Sequence, residues 1–108
     1  MFEIAVEDVF TITGLGTVFL GSVQSGTISI GEPAVCRTRS ADIPLRVIAL
    51  QDKSGKRIER GEPGGLIGVV CKTIDLAKVS DSFMGEGDNR KPVGIRLVPG
   101  EKKKGWFS

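Results

Sequence analysis

Residues 6–31, VEDVFTITGLGTVFLGSVQSGTISIG, alternate apolar and polar positions over short runs and break at glycines. A two-residue period belongs to a strand, whose successive side chains point to opposite faces. Glycines between such runs supply the positive φ that tight hairpin turns need. The stretch therefore predicts a hairpin: a strand over residues 2–13, a turn at Gly14-Leu15-Gly16, and a return strand over residues 17–23. On the first strand Phe2, Ile4, Val6, Phe10 and Ile12 share one face, which makes Phe10 a core residue, and Asp8 interrupts that face. A carboxylate in such a position sits at a bulge, at a barrel mouth or in a site.

The rest of the chain continues in the same manner. TISI, AVCRTR, IPLRVIALQ, GLIGVVCK and VGIRLV are further strand candidates, separated by QSG, GEP and the polar, glycine-rich DKSGKRIERGEPGG. Residues 74–84, IDLAKVSDSFM, support one helical turn or an irregular crossing. Fifteen glycines, no Tyr and only 6 % aromatic residues fit a turn-rich chain better than a helical one. Short strands spaced by turn signals in this way predict an all-β fold: a small closed antiparallel Greek-key barrel over residues 1–100, which removes exposed sheet edges. Residues 101–108, EKKKGWFS, form a basic C-terminal tail outside the barrel. Less than about a fifth of the chain is expected to be helical.

Several chemistries lose their usual partners. The chain has no His, and Cys36 and Cys71 stand singly within strand-like runs rather than in a CxxC arrangement. Zinc sites, Ser-His triads and Cys-His nucleophiles are therefore not expected, and both cysteines read as buried, reduced thiols. GLGTVFLG leads into a strand rather than a helix and lacks the GK[ST] of a phosphate-cradling loop, so no nucleotide is expected. GEGDNR lacks the ligand spacing and final Glu of a calcium loop. Glu7 and Asp8 are adjacent, so on a regular strand they face opposite ways and cannot act on one bond as a glycosidase pair. No enzyme activity, metal or cofactor is expected. No run of 18 apolar residues and no leader pattern is present, which predicts a cytoplasmic protein with no membrane partner.

Charge is uneven. Residues 1–88 carry nine Lys/Arg against twelve Asp/Glu, a balance of −3, whereas residues 89–108 carry six against one, a balance of +5. Lys102, Lys103 and Lys104 stand beside Trp106 and Phe107, combining charge with a stacking surface as RNA contacts require.

The motif run Glu7-Asp8-Val9-Phe10, then Gly14 and Gly16-Thr17-Val18, Gly21 and Val23, Ser25-Gly26, Ile28 and Ile30-Gly31-Glu32 resembles the second domain of elongation factor Tu and related translational GTPases. The likeness continues more loosely through residues 45–72 and ends near Asp88. It implies a translation-protein barrel. In that family the acidic pair and the Phe help form the pocket for the aminoacyl end of transfer RNA, and such barrels also contact the ribosomal small subunit. The resemblance thus implies Glu7, Asp8 and Phe10 as binding residues. The sequence departs from the family at Leu15, where an Arg is usual, and at Leu66, where the pocket's Asn would stand; no GTPase motif is present. The expectation is a non-catalytic translation-factor-like module that contacts RNA or a ribonucleoprotein through Glu7, Asp8, Phe10, Lys102, Lys103, Lys104 and Trp106. The alternative is a protein-interaction module docking on a GTPase or other assembly in trans. For Glu7 and Asp8 the other reading is structural, with carboxylates accepting turn amides or pairing with an Arg.

Overall fold

The computed structural model describes residues 2–39, 41–74, 83–84 and 91–100. Among them every regular element is a strand: β1 Phe2–Ile12, β2 Gly16–Gly26, β3 Ile28–Ser29, β4 Pro33–Arg37, β5 Asp42–Arg46, β6 Ala49–Asp52, β7 Arg57–Ile58, β8 Arg60–Gly61, β9 Leu66–Cys71, β10 Phe83–Met84, β11 Lys91–Pro92 and β12 Arg96–Pro99. All pairings are antiparallel, and the main sheet runs β5-β4-β12-β1-β2-β9-β6-β7.

The sheet closes because β5 and β6, which lie near its two ends, are halves of one stretch. Between them Val47 donates to the Glu32 carbonyl at 3.0 Å, and its own carbonyl accepts from Gly31 at 2.7 Å. Ile48 donates to the Val70 carbonyl at 2.8 Å. The chain thus pairs with β4 over its first half and with β9 over its second, with Val47 fully buried at the change of partner. The step from β2 to β4 passes two strands, β1 and β12, and the step from β9 to β12 passes two, β2 and β1, giving the Greek key. This all-β, closed antiparallel barrel is the fold expected from the strand pattern. The expected single strand over residues 43–51 is instead divided at Val47 and Ile48.

The interior is filled by alternate residues of the barrel strands, including Ile4, Val9, Phe19, Val23, Cys36, Leu50, Val69 and Leu97. Burying each such aliphatic or aromatic side chain stabilises by about 1.5 to 3 kcal/mol. On β1 the inward set changes parity. Val6 pairs with Gly21 and Asp8 with Leu20, so Glu7 is an extra residue with no partner position, a β-bulge. Inward positions are Phe2, Ile4 and Val6 before the bulge and Val9 after it. Phe10 and Ile12 therefore face outward, 37 % and 41 % exposed, and the expectation that they continue the apolar face is corrected. Asp8 does not interrupt the core. A second register shift, at Gln24 on β2, adds to the twist of the same hairpin.

Thr17 is the buried polar residue among those described. Its Oγ1 accepts from the Ile74 amide at 3.0 Å and lies 3.2 Å from Thr11 Oγ1, tying the chain beyond β9 to the β1–β2 hairpin. Cys36 and Cys71 are free and buried, as expected. Burial, with smaller contributions from Cys71 and Asp42, pushes the Cys36 thiol up to about 12; burial alone pushes Cys71 up to about 11. Native protein at pH 8 should therefore leave Ellman's reagent unreacted, and denatured protein should react at both cysteines. Unfolding returns both thiols to their ordinary value, so the unfolded chain loses protons first. Stability should hold below about pH 9 and fall as pH rises toward 11 to 12, which urea melts across that range would measure.

Residues 75–82, 85–90 and 101–108 lie outside the described set, and with them the helical-turn and GEGDNR expectations and the tail positions Lys102, Lys103, Lys104 and Trp106. No helix among the described residues is long and apolar enough to cross a membrane.

Candidate functional site

The outward face of the hairpin and its neighbours is organised in rows set by strand register. One row runs Asp8, Leu20, Gly68, Gln51, Arg57 across β1, β2, β9, β6 and β7; the next runs Phe10, Val18, Val70, Ala49. Because the sheet closes, the first row runs round the barrel wall: Asp8 and Arg57 are its two ends, four strand steps apart, and they stand on different sides of the barrel. The centre of that row carries no side chain at Gly68. A Cβ there would press on Val18 Cγ1 at 3.3 Å.

Glu7 and Asp8 occupy the bulge and have different partners. Glu7 Oε2 accepts from the Ser22 hydroxyl at 3.1 Å, and Asp8 Oδ1 accepts from the Val9 amide at 2.9 Å. The Asp8 carboxylate thus braces the first amide past the extra residue, the kind of charge-assisted bond that holds an irregular backbone. Replacing Asp8 with Ala should lower stability by about 1 kcal/mol in a urea melt; an unchanged midpoint would leave this carboxylate without a structural role. Phe10 stands one position beyond on the same outward face, accessible as a contact residue. Leu66 pairs with Ser22 across β9 and β2, so it lies next to Glu7's partner. It offers an alkyl chain with no donor or acceptor.

At the other end of the row the β6–β7 hairpin is built around Asp52. Its Oδ1 accepts from the Ser54 hydroxyl at 2.7 Å and from the amides of Ser54 and Lys56, both at 2.9 Å. The Ser54 hydroxyl above all, then the Lys56 amide, holds the Asp52 carboxyl below the usual carboxylate range. Main-chain bonds from Asp52 to the Lys56 carbonyl, 2.8 Å, and from Gly55 to the Asp52 carbonyl, 2.9 Å, complete the turn. The turn's one carboxylate is therefore turned to internal bonds while Lys53, Lys56, Arg57 and, on β8, Arg60 are exposed. Sequence reading passed over these four cations because the balance of residues 1–88 is negative. Their spacing, four in eight residues against Glu59 alone and next to an Asp braced by Ser, was the signal available.

Two arginines elsewhere have carboxylate partners. Arg96 lies opposite Arg37 on neighbouring strands, and each has a carboxylate beside it, Glu3 at 3.3 Å and Asp42 at 3.7 Å. A groove of about 450 Å³ between Phe2, Ile30, Glu32 and Pro99 has a Glu32 carboxylate committed to the Ser29 amide at 2.8 Å. No group of three His, Cys, Asp or Glu among the described residues is placed to hold a metal ion.

No protein family's sequence profile matches the chain. Among solved structures, the chain is similar to the bacterial selenocysteine-specific elongation factor EF-Sec, with a TM-score of 0.69 and 23 % identity over 91 % of its length. It spans 14 % of that protein. The match covers nearly all of the barrel, and at this identity it speaks for the fold: the chain has the fold of a translation-factor β-barrel domain.

Proposed function

We propose that the chain is a non-catalytic, translation-factor-like binding module that contacts RNA or a ribonucleoprotein such as the ribosome. The observation that carries this reading is the Asp52-braced hairpin, which presents Lys53, Lys56 and Arg57 to solvent on a fixed turn, with Arg60 exposed just beyond it on β8. A turn held by its own side-chain bonds loses little conformational freedom on binding, and cations on it displace counterions from phosphates. Glu7, Asp8 and Phe10, on another side of the barrel wall, are the second contact region, with Phe10 available for stacking on a base. Lys102, Lys103, Lys104 and Trp106 add charge and a ring at the chain's end. The translation-factor fold is consistent with this role, and the missing GTPase motifs leave nucleotide hydrolysis to another domain or protein.

The test is the salt dependence of binding to a single-stranded oligouridylate. Each phosphate neutralised on a single strand contributes about −0.7 to the slope of log K against log salt. Reversing Lys53 and Lys56 together to Glu should weaken binding more than tenfold and make the slope shallower by about 1.4 or more. Deleting residues 101–108 should reduce it by up to about 2. If reversal leaves both affinity and slope unchanged, the hairpin is not the contact.

A further inference from the structure

Where the barrel strand changes partner, a second surface opens that the RNA reading does not use. β5 pairs with β4 alone, while β6 pairs with β9, so the sheet forks between residues 44–48 and residues 72–74. The fork is a groove of about 280 Å³ lined by Pro44, Leu45, Arg46, Ile48, Lys72 and Ile74. Its floor is aliphatic: Leu45 and Ile74 pack against the core, and Ile48 is 38 % exposed. Both walls are anchored. Ile74 is held by the bond from its amide to buried Thr17, and Arg46 Nη1 donates to the Gly31 carbonyl at 2.8 Å. Among the described residues, two cations and no carboxylate line the groove.

We propose that this groove is a docking site for an extended acidic peptide segment of a protein partner, one that inserts aliphatic side chains between flanking Asp or Glu residues. Charge complementarity selects the acidic flanks, because Arg46 and Lys72 would meet them on opposite walls. The aliphatic floor selects the anchors. The volume lies below that of small-molecule pockets, about 300 to 1,000 Å³, and suits one or two side chains of a chain passing over it. Among the described residues β5 has one strand neighbour, β4, and an extended peptide can align along its other edge. No described lining residue is aromatic, which argues against a nucleobase, whose binding to single-strand sites relies on stacking. This site stands apart from the basic hairpin, and its test does not depend on RNA binding there.

The probe is a fluorescein-labelled peptide of sequence Glu-Asp-Leu-Ile-Glu-Leu-Asp-Glu, with a counterpart in which every acid is Lys. Fluorescence polarisation with the full chain should saturate with the acidic peptide and not with the basic one. In ¹⁵N–¹H spectra the acidic peptide should shift amides of residues 45–48 and 72–74. Lys72→Glu, at an exposed position, should weaken binding about fivefold, the scale of one exposed ion pair, and Ile48→Asp should abolish it, with circular dichroism checking that both variants fold. Absence of saturable binding, equal affinity for the basic peptide, shifts elsewhere, or the same amides responding to oligouridylate would each overturn the proposal.

Discussion

Placing Asp at position 9 should unfold the barrel, whereas placing Asp at position 10, one residue along, should leave it folded. Val9 is 6 % exposed and pairs with Phe19 inside the barrel; Phe10 is 37 % exposed and pairs with Val18 on the outward side. An ionised carboxylate at position 9 would have no partner among the Val, Leu and Phe side chains around it, so the chain would protonate it or open. The cost should reach at least about 4 kcal/mol, much of the 5 to 15 kcal/mol by which a domain of this size is stable. Phe10→Asp removes a ring already partly in water and should cost about 1 kcal/mol. Thermal melts of the two variants read the register of β1 directly. On an unbulged strand the ranking would reverse, because a one-residue slip exchanges the faces.

Replacing Gly16 with Val should be nearly as damaging. Gly16 has φ +133°, where a β-branched residue is strained, and a Cβ there would collide with the Cys71 carbonyl oxygen, part of the β2–β9 ladder. Neither the oxygen nor the strand that carries it can retreat without breaking pairing. A loss of at least about 3 kcal/mol is expected. Gly14, two residues earlier in the same turn, is the control. It has φ +83° and open space beyond its Cα, so Gly14→Ala should cost about 1 to 2 kcal/mol, for backbone strain alone. Similar melting temperatures for the two variants would mean that the close approach of β2 to β9 is not needed.

The longer barrel strands were legible because each carries its own signature, whereas the two-residue β7 and β8 fall in the polar stretch read as a turn. Alternation and β-branching mark the hairpin, and GLIGVVC reads as a buried strand since its side chains line both faces of a covered part of the sheet. The bulge at Glu7 has no such signature. It is an insertion in pairing, set by the partner strand, and the run Phe2, Ile4, Val6, Phe10, Ile12 keeps its apolar parity straight through it. Phe10 and Ile12 were accordingly placed inside although they face out. The change of partner at Val47 and Ile48 was hidden in a similar way, because RVIAL reads as one apolar strand and only barrel closure requires it to bend. Of the candidate site, Glu7 and Asp8 were found through resemblance. The cations at Lys53, Lys56, Arg57 and Arg60 were not, because a charge balance summed over 88 residues averages a local cluster away.

The most direct measurement of the central claim is a ¹⁵N–¹H spectrum of the full chain titrated with oligouridylate at low salt. The account predicts that the largest amide shifts fall within residues 52–60, with a second set in residues 7–10, and that they fade as salt is raised. Shifts confined to other surfaces, or no shifts at protein concentrations that saturate ordinary single-strand binders, would contradict it.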